Sequence, residues 1–475
     1  MVSRRAFLGK SLTLSAGVAF SSAARSYAQT DTPVAFTAGS GPVLHIPADF
    51  IGLGYEMSSV APIGLLSAGN SRYVQLIRGL GPRGVLRVGG IVADYTRYEP
   101  DGTIVTEPQN TVINRASIEQ FSAFLKKIGW KAIWSVNFAQ GSIDDAVQEA
   151  KAVTSILGRE VLALEIGNEV ENLARSSHPF RQAPYTYEIY RKEYQEWREA
   201  ILRAVPHIRF AAPDTASSVE WVEQMAKDAN GEVQLLTTHY YRNNQRNGSA
   251  EQLTYPDPKL RDTLTRLRAA SQASGIPWRM CETNSFSGGG RPGVSDSFLG
   301  ALWTLDFMLL MASYGCSGVN IETGVNQLGF VSSYSPVQDD GRANNTAGAP
   351  YYGMLAFAVA QKSGSDLLPL SFDALGLNIT AYLLGHGTTP RALVVINREA
   401  DRDVPVSTEH LGLQSYTAMR LRAPSPEAKN GVTFAGSAVA TEGGWQPAEV
   451  EPAHGHEVIV PRMSAVVLCA PGQTT

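Results

Sequence analysis

Eight short apolar segments alternate with helical patterns across the middle of the chain, and this alternation limits the possible folds more than any other feature. The segments are rich in β-branched or aromatic residues and are bounded by Gly, Pro, Asn or Asp, as strands commonly are. We therefore predict eight strands, at Phe50–Ser58, Val85–Gly90, Lys131–Phe138, Val161–Glu169, Arg209–Asp214, Val233–Tyr241, Pro277–Asn284 and Gly318–Gly324.

A helix is predicted after each strand, because the intervening stretches place apolar residues at three- and four-residue spacing. Eight strand–helix units in succession predict a (β/α)8 TIM barrel. A doubly wound sheet is the alternative, but it more often carries a Gly-rich phosphate turn after its first strand, and no G-x-G-x-x-G follows Phe50–Ser58. The helices are Tyr73–Leu80, Ile118–Ile128, Ile143–Leu157, Tyr187–Val205, Val219–Asp228, Leu260–Ser274, Phe298–Tyr314 and Tyr351–Ala360.

The pattern changes after about residue 366, where short strands separated by turns replace the helices. This texture predicts a C-terminal antiparallel β-sandwich over residues 366–475, with the barrel at 50–365. Residues 29–49 are also strand-like and are expected to add an N-terminal strand to the sandwich. The predicted sandwich strands are Leu377–Leu384, Arg391–Asn397, Ser415–Leu421, Val432–Phe434, His456–Val460 and Ser464–Leu468.

Residues 1–28 are typical of a twin-arginine signal peptide. Arg4 and Arg5 precede an apolar run, Leu12–Ala24, that is shorter than the ~18 residues of a spanning helix. Cleavage after Ala28 would remove four basic residues and no acidic one, which takes the net charge from −4 to about −8. We expect export by the Tat machinery to the periplasm or beyond, with no stable membrane association and no nucleic-acid partner.

Two glutamates stand where an apolar strand meets its loop, and such strand ends carry the chemistry of barrel enzymes. Glu169 follows the fourth strand and Glu282 ends the seventh. Glycoside cleavage uses two such carboxyls, one to protonate the leaving oxygen and one to attack the anomeric carbon. The alternative is a pair of ordinary loop acids. Glu165, inside the fourth strand, is expected to pair with a helix cation, and Glu322, at the end of the eighth, is a minor candidate.

Three cysteines cannot staple a chain of 475 residues, and no C-x-x-C or clustered His/Cys set points to a structural zinc site. Cys281 precedes Glu282, so regular strand alternation would turn its side chain toward the helix layer. We expect it to be a small buried apolar residue.

The segment after the seventh strand resembles family 79 of the glycoside hydrolases, a clan A family that includes heparanase and β-glucuronidases. The resemblance is carried by Glu282–Gly290 and Gly293–Phe298, and the C-terminal stretches Leu421–Pro424 and Pro461–Ala465 fit the same family. It covers essentially the whole mature chain. It implies a retaining β-glucuronidase with a carbohydrate substrate and no metal or organic cofactor.

The resemblance also implies roles for single residues. Glu169 is then the acid/base, with a raised pKa in the free enzyme, and Glu282 the nucleophile. Asn168 would bind the sugar 2-hydroxyl, and Tyr240 would either bond Glu282 or be a rim aromatic. The N–H groups of Gly288 and Gly289 would approach the substrate, or these glycines form a plain turn. The expected pocket-lining residues are Asn137, Asp94, Tyr334 and Arg87, the last with a structural ion pair as its alternative.

The chain departs from the family pattern at Ser287, where many members carry a Tyr that helps to hold the uronate carboxylate, and in the loop 324–336. Tyr334 can supply a hydroxyl there instead. These departures keep a β-xylosidase or β-glucosidase as alternatives, together with a non-catalytic carbohydrate-binding barrel. Heparan sulfate is disfavoured, because a polyanion favours a basic cleft and the mature chain is acidic.

Overall fold

The computed structural model describes residues 32–324, 332–339, 345–413 and 415–471. The predicted signal peptide lies outside these residues. Among the helices described, none combines the length and the apolar character needed to cross a membrane.

Eight parallel strands form a closed barrel, which confirms the predicted (β/α)8 fold. The eighth strand pairs with the first, with Val319 beside Ile51 and Glu322 beside Gly54. The carboxyl ends of all eight strands therefore meet at one face. In chain order the barrel strands are Ile51–Glu56, Val85–Gly89, Lys131–Val136, Val161–Ile166, Phe210–Thr215, Leu235–Asn244, Trp278–Ser287 and Val319–Glu322.

One long helix follows each barrel strand. Most are amphipathic and begin with a side-chain cap; Ser142 and Asp145, for example, form a reciprocal capping box at one of them. The last two helices are apolar on nearly every side because each is covered on both sides by protein. The eight are Ser71–Gly79, Arg115–Ile128, Ile143–Leu157, Tyr187–Ala204, Val219–Asp228, Pro258–Ser274, Phe298–Ser313 and Ala349–Ser363.

Short elements decorate the loops of the barrel. All but the 3-10 turn Gly158–Glu160, which leads into the fourth strand, follow a strand and lie on the carboxyl-end face. A three-stranded sheet follows the second barrel strand, and small hairpins follow the fourth and the eighth. Short helical turns lie between them. These elements are Thr96–Tyr98, Val105–Glu107, Asn110–Ile113, Ala174–Arg175, His178–Pro179, Val337–Gln338 and Thr346–Ala347, with helices Met57–Val60, Gly90–Ala93 and Ala250–Thr254 and 3-10 turns Gly158–Glu160 and Val170–Asn172.

The remaining strands form two facing sheets, as predicted for a sandwich that includes the N-terminal strand. Val34–Ala38 pairs with Val404–His410 in the smaller sheet. The strand Val404–His410 is not among those predicted from the sequence, and it contains Pro405, a residue that disfavours a strand assignment. Leu370–Ser371 and Glu457–Val460 complete that sheet. The larger sheet contains Leu44–His45, Asp366–Leu368, Ile379–His386, Thr389–Asn397, Ser464–Cys469, Ser415–Arg422, Thr433–Phe434 and Glu451–His454.

The larger sheet is apolar on both faces. Leu393 and Val395 belong to the core between the two sheets. Val394 and Ile396, which alternate with them, belong to the core that continues through the last barrel helix, Ala349–Ser363. The sheet therefore joins barrel and sandwich through buried apolar contact rather than through a linker.

The last two barrel helices approach each other most closely at Gly353. A Cβ there would fall against the backbone oxygen of Ala301 and 3.1 Å from the nitrogen of Leu305, and backbone cannot yield as a side chain does. We expect Gly353→Ala to destabilise the protein by about 1–3 kcal/mol despite the better helix propensity of Ala.

Urea unfolding followed by circular dichroism measures this loss. Gly444→Ala is the matched control, because nothing lies within 4 Å of the added atom, and it should change the unfolding midpoint little. Equal midpoints for the two variants would contradict the close approach.

Candidate active site

A buried guanidinium lies at the centre of the barrel mouth. Arg87, on the second strand, has no exposed surface. It donates from Nε to Glu165 (3.0 Å), from Nη1 to Glu282 (2.7 Å), and from Nη2 to Asn168 (2.8 Å) and Asp214 (2.5 Å). The ion-pair alternative for Arg87 is therefore correct, and the pair includes one of the two candidate carboxylates.

Asp214 reaches Arg87 because the fifth strand carries an extra residue. Pro213 pairs with Thr237 and Thr215 with Thr238, so Asp214 has no partner on the sixth strand. Its φ of 63° lies in the left-handed region, which is uncommon outside glycine. A bulge of this kind redirects a side chain, and here the redirected carboxylate enters the barrel.

A second bulge, on the seventh strand, explains the position of Cys281. Thr238 pairs with Met280 and His239 with Glu282, so Cys281 is the extra residue. Its thiol donates to Glu165 at 3.0 Å inside the barrel. The expectation that Cys281 points to the helix layer is wrong, because the bulge lets both Cys281 and Glu282 face inward. Glu165 likewise pairs inside the barrel and not with a helix cation.

The tyrosine that bonds Glu282 is Tyr241 and not Tyr240. The Tyr241 hydroxyl donates to Glu282 Oε1 at 2.9 Å, and burial beside that carboxylate raises the Tyr241 pKa well above its ordinary value. Tyr240 turns outward, stacks on Phe307 and donates to Asp257 at 3.0 Å. Alternation along the sixth strand places His239 and Tyr241 on the inner face and Tyr240 on the outer one.

Glu169 follows the fourth strand in a left-handed conformation, with φ 43°. Its side chain is 33% exposed, whereas that of Glu282 is 10% exposed. Carboxylate oxygens of Glu169 and Glu282 lie within 4.8 Å of each other. The structure thus brings the two predicted carboxylates together at one mouth, one accessible and one anchored.

His239 links Glu169 to the buried network. Its Nδ1 lies 3.4 Å from Glu169 Oε1 and its Nε2 lies 2.9 Å from Asp214 Oδ1. Burial alone would raise the Glu169 pKa, but contacts with His239 and Asn172 lower it below its ordinary value. The expectation of a raised Glu169 pKa in the free enzyme is therefore wrong, because it took no account of His239.

Asn168 is oriented by the same guanidinium. Its Oδ1 accepts from Arg87, and among the described residues nothing accepts from its amide nitrogen. Two N–H donors at the mouth thus stay available for a ligand. Asn168 thus lies at the mouth beside Glu169, and its contact with a sugar hydroxyl stays a prediction.

Asp94 carries a buried carboxylate whose two oxygens have no hydrogen-bond partner in the described part of the chain. Its side chain is 1% exposed, and burial, with Glu169 and Glu56 nearby, raises its pKa well above the ordinary value. The pKa of Glu322 is likewise raised well above its ordinary value, by burial and by the nearby carboxylates of Glu282 and Glu56. The mouth is therefore rich in carboxyl groups, some of which favour their neutral form.

Asn137 holds a loop instead of facing the mouth. Its Nδ2 donates to the Thr96 carbonyl, and its Oδ1 accepts from the N–H groups of Gln140 and Gly141. With donor and acceptor both used within the protein, the predicted pocket role of Asn137 is not supported.

The glycine loop after the seventh strand does adopt a conformation that suits glycine, with φ of 76°, 91° and 81° at Gly288, Gly289 and Gly290. The backbone of Tyr334 and the hydroxyl of Ser333 donate to the Gly289 carbonyl. The Tyr334 ring stacks on Tyr241 with centroids 6.3 Å apart. Tyr334 thus lies next to the residue that orients Glu282, as its predicted place in the pocket requires.

Two groups of side chains bring three donor atoms within 4.8 Å of one another: Glu165, Asp214 and Cys281, and Glu169, His239 and Glu282. In both groups the carboxylates already contact the guanidinium of Arg87 or the ring of His239. The chain itself supplies the balancing positive charge, so the arrangement does not require a metal ion.

No family model matches the chain. It is 27% identical over 389 residues to a β-glucuronidase of Aspergillus niger, covering 70% of this chain and 68% of that protein. It is 24% identical over 383 residues to a β-glucuronidase of Neurospora crassa, covering 67% and 66%. With the paired carboxylates at the barrel mouth, these likenesses support a glycoside hydrolase.

Solved structures show the same fold. A 4-O-α-L-rhamnosyl-β-D-glucuronidase from Fusarium oxysporum 12S superposes with a TM-score of 0.77 at 17% identity, covering 92% of this chain and all of that one. A monomeric β-xylosidase from Caulobacter crescentus CB15 superposes with a TM-score of 0.59 at 14% identity, covering 92% and 99%. At such identities the likeness concerns architecture.

Arg87 satisfies three carboxylates, so its removal should be costly. We expect Arg87→Met to lower the free energy of unfolding by about 3–5 kcal/mol, because it leaves buried negative charge without a partner. Urea unfolding at pH 7 measures this.

Arg266→Met is the control for that experiment. Arg266 also pairs with two carboxylates, Glu220 and Glu223, but its side chain is 43% exposed, so we expect about 0–1 kcal/mol. A loss at Arg87 as small as that at Arg266 would show that the buried network is not needed for stability.

Proposed function

We propose that this glycoside hydrolase is an exported, retaining β-glucuronidase similar to those of family 79. The observation that carries the proposal is the separation of at most 4.8 Å between carboxylate oxygens of Glu169 and Glu282, at the ends of the fourth and seventh strands. Retaining enzymes hold their two carboxyls ~5–5.5 Å apart, whereas inverting enzymes need ~6.5–9.5 Å to admit a water molecule.

Glu282 is the nucleophile in this proposal. Both of its oxygens accept hydrogen bonds, Oε2 from Arg87 and Oε1 from Tyr241. A carboxylate fixed at both ends is oriented before the substrate arrives, which reduces the entropic part of the barrier. It attacks the anomeric carbon, and the bond to the aglycone oxygen breaks.

Glu169 is the acid and then the base. It is the more accessible of the two carboxyls, as a group that must reach both the aglycone oxygen and an incoming water should be. It gives its proton to the departing oxygen in the first step and takes a proton from water in the second. Water then replaces Glu282 at the anomeric carbon, and the configuration is retained.

Two neighbouring side chains are suited to the hydroxyls of a sugar. Asn168 offers its amide N–H groups, and Asp94 offers carboxylate oxygens that accept no hydrogen bond from the described protein, although His178 Nε2 lies 3.9 Å from one of them. Buried polar groups without a partner are costly, so a ligand that supplies hydroxyls gains from satisfying them. This supports a carbohydrate in the mouth.

A uronate carboxylate has neutral donors available. The N–H groups of Gly288 and Gly289 have no acceptor within the described chain, and the Tyr334 ring packs at the same loop. The raised pKa values of Asp94 and Glu322 reduce the negative charge that an anionic sugar would meet. Both fungal relatives are named β-glucuronidases, which supports the same substrate class.

Replacing Glu282 and replacing Glu169 should reduce activity in different ways. Glu282→Ala should lower kcat on a 4-nitrophenyl β-glucuronide by about 10⁴-fold or more, since no ester can form. Glu169→Ala should cost about 10²–10⁴-fold on an alkyl glucuronide but far less, at the first step, on aryl glucuronides with acidic leaving groups.

Proton NMR of the first product formed should show the β-anomer from the wild type, and Glu282→Ala with added azide should give no product of retained configuration. Glu188→Ala, a fully exposed acid on a barrel helix, is the control and should match the wild type. Full activity of Glu282→Ala would end the assignment. Cleavage of a xyloside or glucoside but of no glucuronide would favour a β-xylosidase or β-glucosidase. Binding of a glycoside without turnover would favour a non-catalytic carbohydrate-binding barrel.

Export is proposed from Arg4 and Arg5 and the apolar run behind them. Replacing both arginines by lysine should keep uncleaved protein in the cytoplasm of a bacterial host with a Tat pathway, while the unaltered chain is recovered from the periplasm. Immunoblots of the two fractions measure this. Equal distribution of both forms would contradict Tat-dependent export.

A further inference from the structure

His239 is positioned to serve Glu169 as well as to pack the barrel. Its ring spans two carboxylates, with Nε2 2.9 Å from Asp214 and Nδ1 3.4 Å from Glu169, and its side chain has no exposed surface. The same Nδ1 lies 3.9 Å from Glu282 Oε1. One imidazole thus touches both of the proposed reacting carboxylates and a third, fully buried one.

The charged groups around His239 are mostly negative. Besides its three carboxylate neighbours, His239 interacts with Glu322 at the end of the eighth strand. Burial lowers the pKa of His239, but Asp214 and Glu282 outweigh this and raise it well above its ordinary value. The groups that interact with the ring are Glu169, Asp214, Glu282 and Glu322. Arg87, Asp94 and Cys281 interact with these carboxylates, and Glu165 interacts with Arg87 and Asp214.

We propose that His239 and Asp214 are positioning residues that keep the catalytic proton of Glu169 in the site, held between His239 Nδ1 and Glu169 Oε1. The inference rests on the proposed function, because it assigns the acid role to Glu169. A histidine between a buried anion and a second carboxylate has one nitrogen bonded to the anion and the other directed at the partner. Arg87 holds Asp214 ionised, so the proton stays on the His239–Glu169 side.

The proton balance is simple. In the resting site His239 carries protons on both nitrogens and Glu169 is ionised. As the aglycone leaves, the Nδ1 proton passes to Glu169, and Glu169 hands that same proton on to the aglycone oxygen, which keeps the electron pair of the broken bond. Glu282 forms the ester. In the second step water attacks, its proton returns through Glu169 to Nδ1, and Glu282 leaves as a carboxylate.

The loops that carry this group are tied together. Glu171, two residues after Glu169, accepts from the N–H groups of Ala216, Ser217 and Ser218, which follow Asp214. Both Glu169 and Asp214 have left-handed backbones, with φ of 43° and 63°. Strained positions of this kind persist only where the surroundings fix them. The Glu171 carboxylate therefore holds the loops of Glu169 and Asp214, the two partners of His239, in a fixed relation to each other.

The test compares His239→Asn and His239→Gln with the wild type on a series of aryl and alkyl glucuronides. Asn keeps a nitrogen near the Nδ1 position and Gln one near Nε2, but neither can be charged. We expect kcat/KM to fall about 10²-fold on alkyl glucuronides and little on those with acidic leaving groups. The basic limb of the pH profile should move to lower pH, as it should also in Asp214→Asn.

Tyr241→Phe is the comparison variant. Because Tyr241 orients Glu282 and not Glu169, its loss of activity should be similar across the leaving-group series, and the basic limb should stay in place. A merely structural role of His239 would give the Tyr241 pattern: loss on every substrate and an unmoved pH profile. That result would overturn the proposal.

A second measurement does not depend on turnover. In protein labelled with ¹⁵N-histidine, one ring should remain doubly protonated at about pH 8, and its signals should vanish in His239→Asn. A neutral His239 ring at pH 7 would overturn the inference even in an active enzyme. If the wild type cleaves no glycoside, the proposed function fails, and this spectrum alone decides whether His239 holds the proton.

Discussion

The barrel mouth depends on one guanidinium. Arg87 binds Glu165, Asn168, Asp214 and Glu282, which come from the fourth, fifth and seventh strands and their loops. Without that cation, three carboxylates would share a site shielded from water, where repulsion and desolvation both act against charge. The same contacts orient the proposed nucleophile and the amide beside it, so stability and substrate positioning share one set of hydrogen bonds.

Sequence patterning predicted the barrel because each strand and helix shows its own period of apolar residues. It also found Glu169 and Glu282, since a carboxylate at the end of an apolar strand is visible without coordinates. The side-chain orientation predicted for Cys281 is wrong for a physical reason. A bulge adds one residue to one strand only and reverses the alternation of side chains beyond it. Nothing in the local sequence marks that insertion.

Other parts of the site needed the structure because they are formed by distant residues. Asp214 and His239 meet across two strands, and their effect on the Glu169 pKa follows from that meeting. Tyr241 was within reach of sequence reasoning, since alternation from an inward His239 places Tyr241 inward and Tyr240 outward. The tyrosine beside Glu282 is therefore identified by its place on the inner side of the sixth strand, two residues after His239.

The pairing of Val34–Ala38 with Val404–His410 joins an early and a late segment of the chain in one sheet. Barrel closure likewise requires the first strand to pair with the eighth, which comes much later in the chain. Contacts between residues so distant in sequence form late in folding, because closing a long loop costs conformational entropy before the contacts contribute any stabilising energy. During synthesis, therefore, the first barrel strand leaves the ribosome well before Val319–Glu322, which closes the barrel, and Val34–Ala38 leaves it well before Val404–His410, its partner in the smaller sheet.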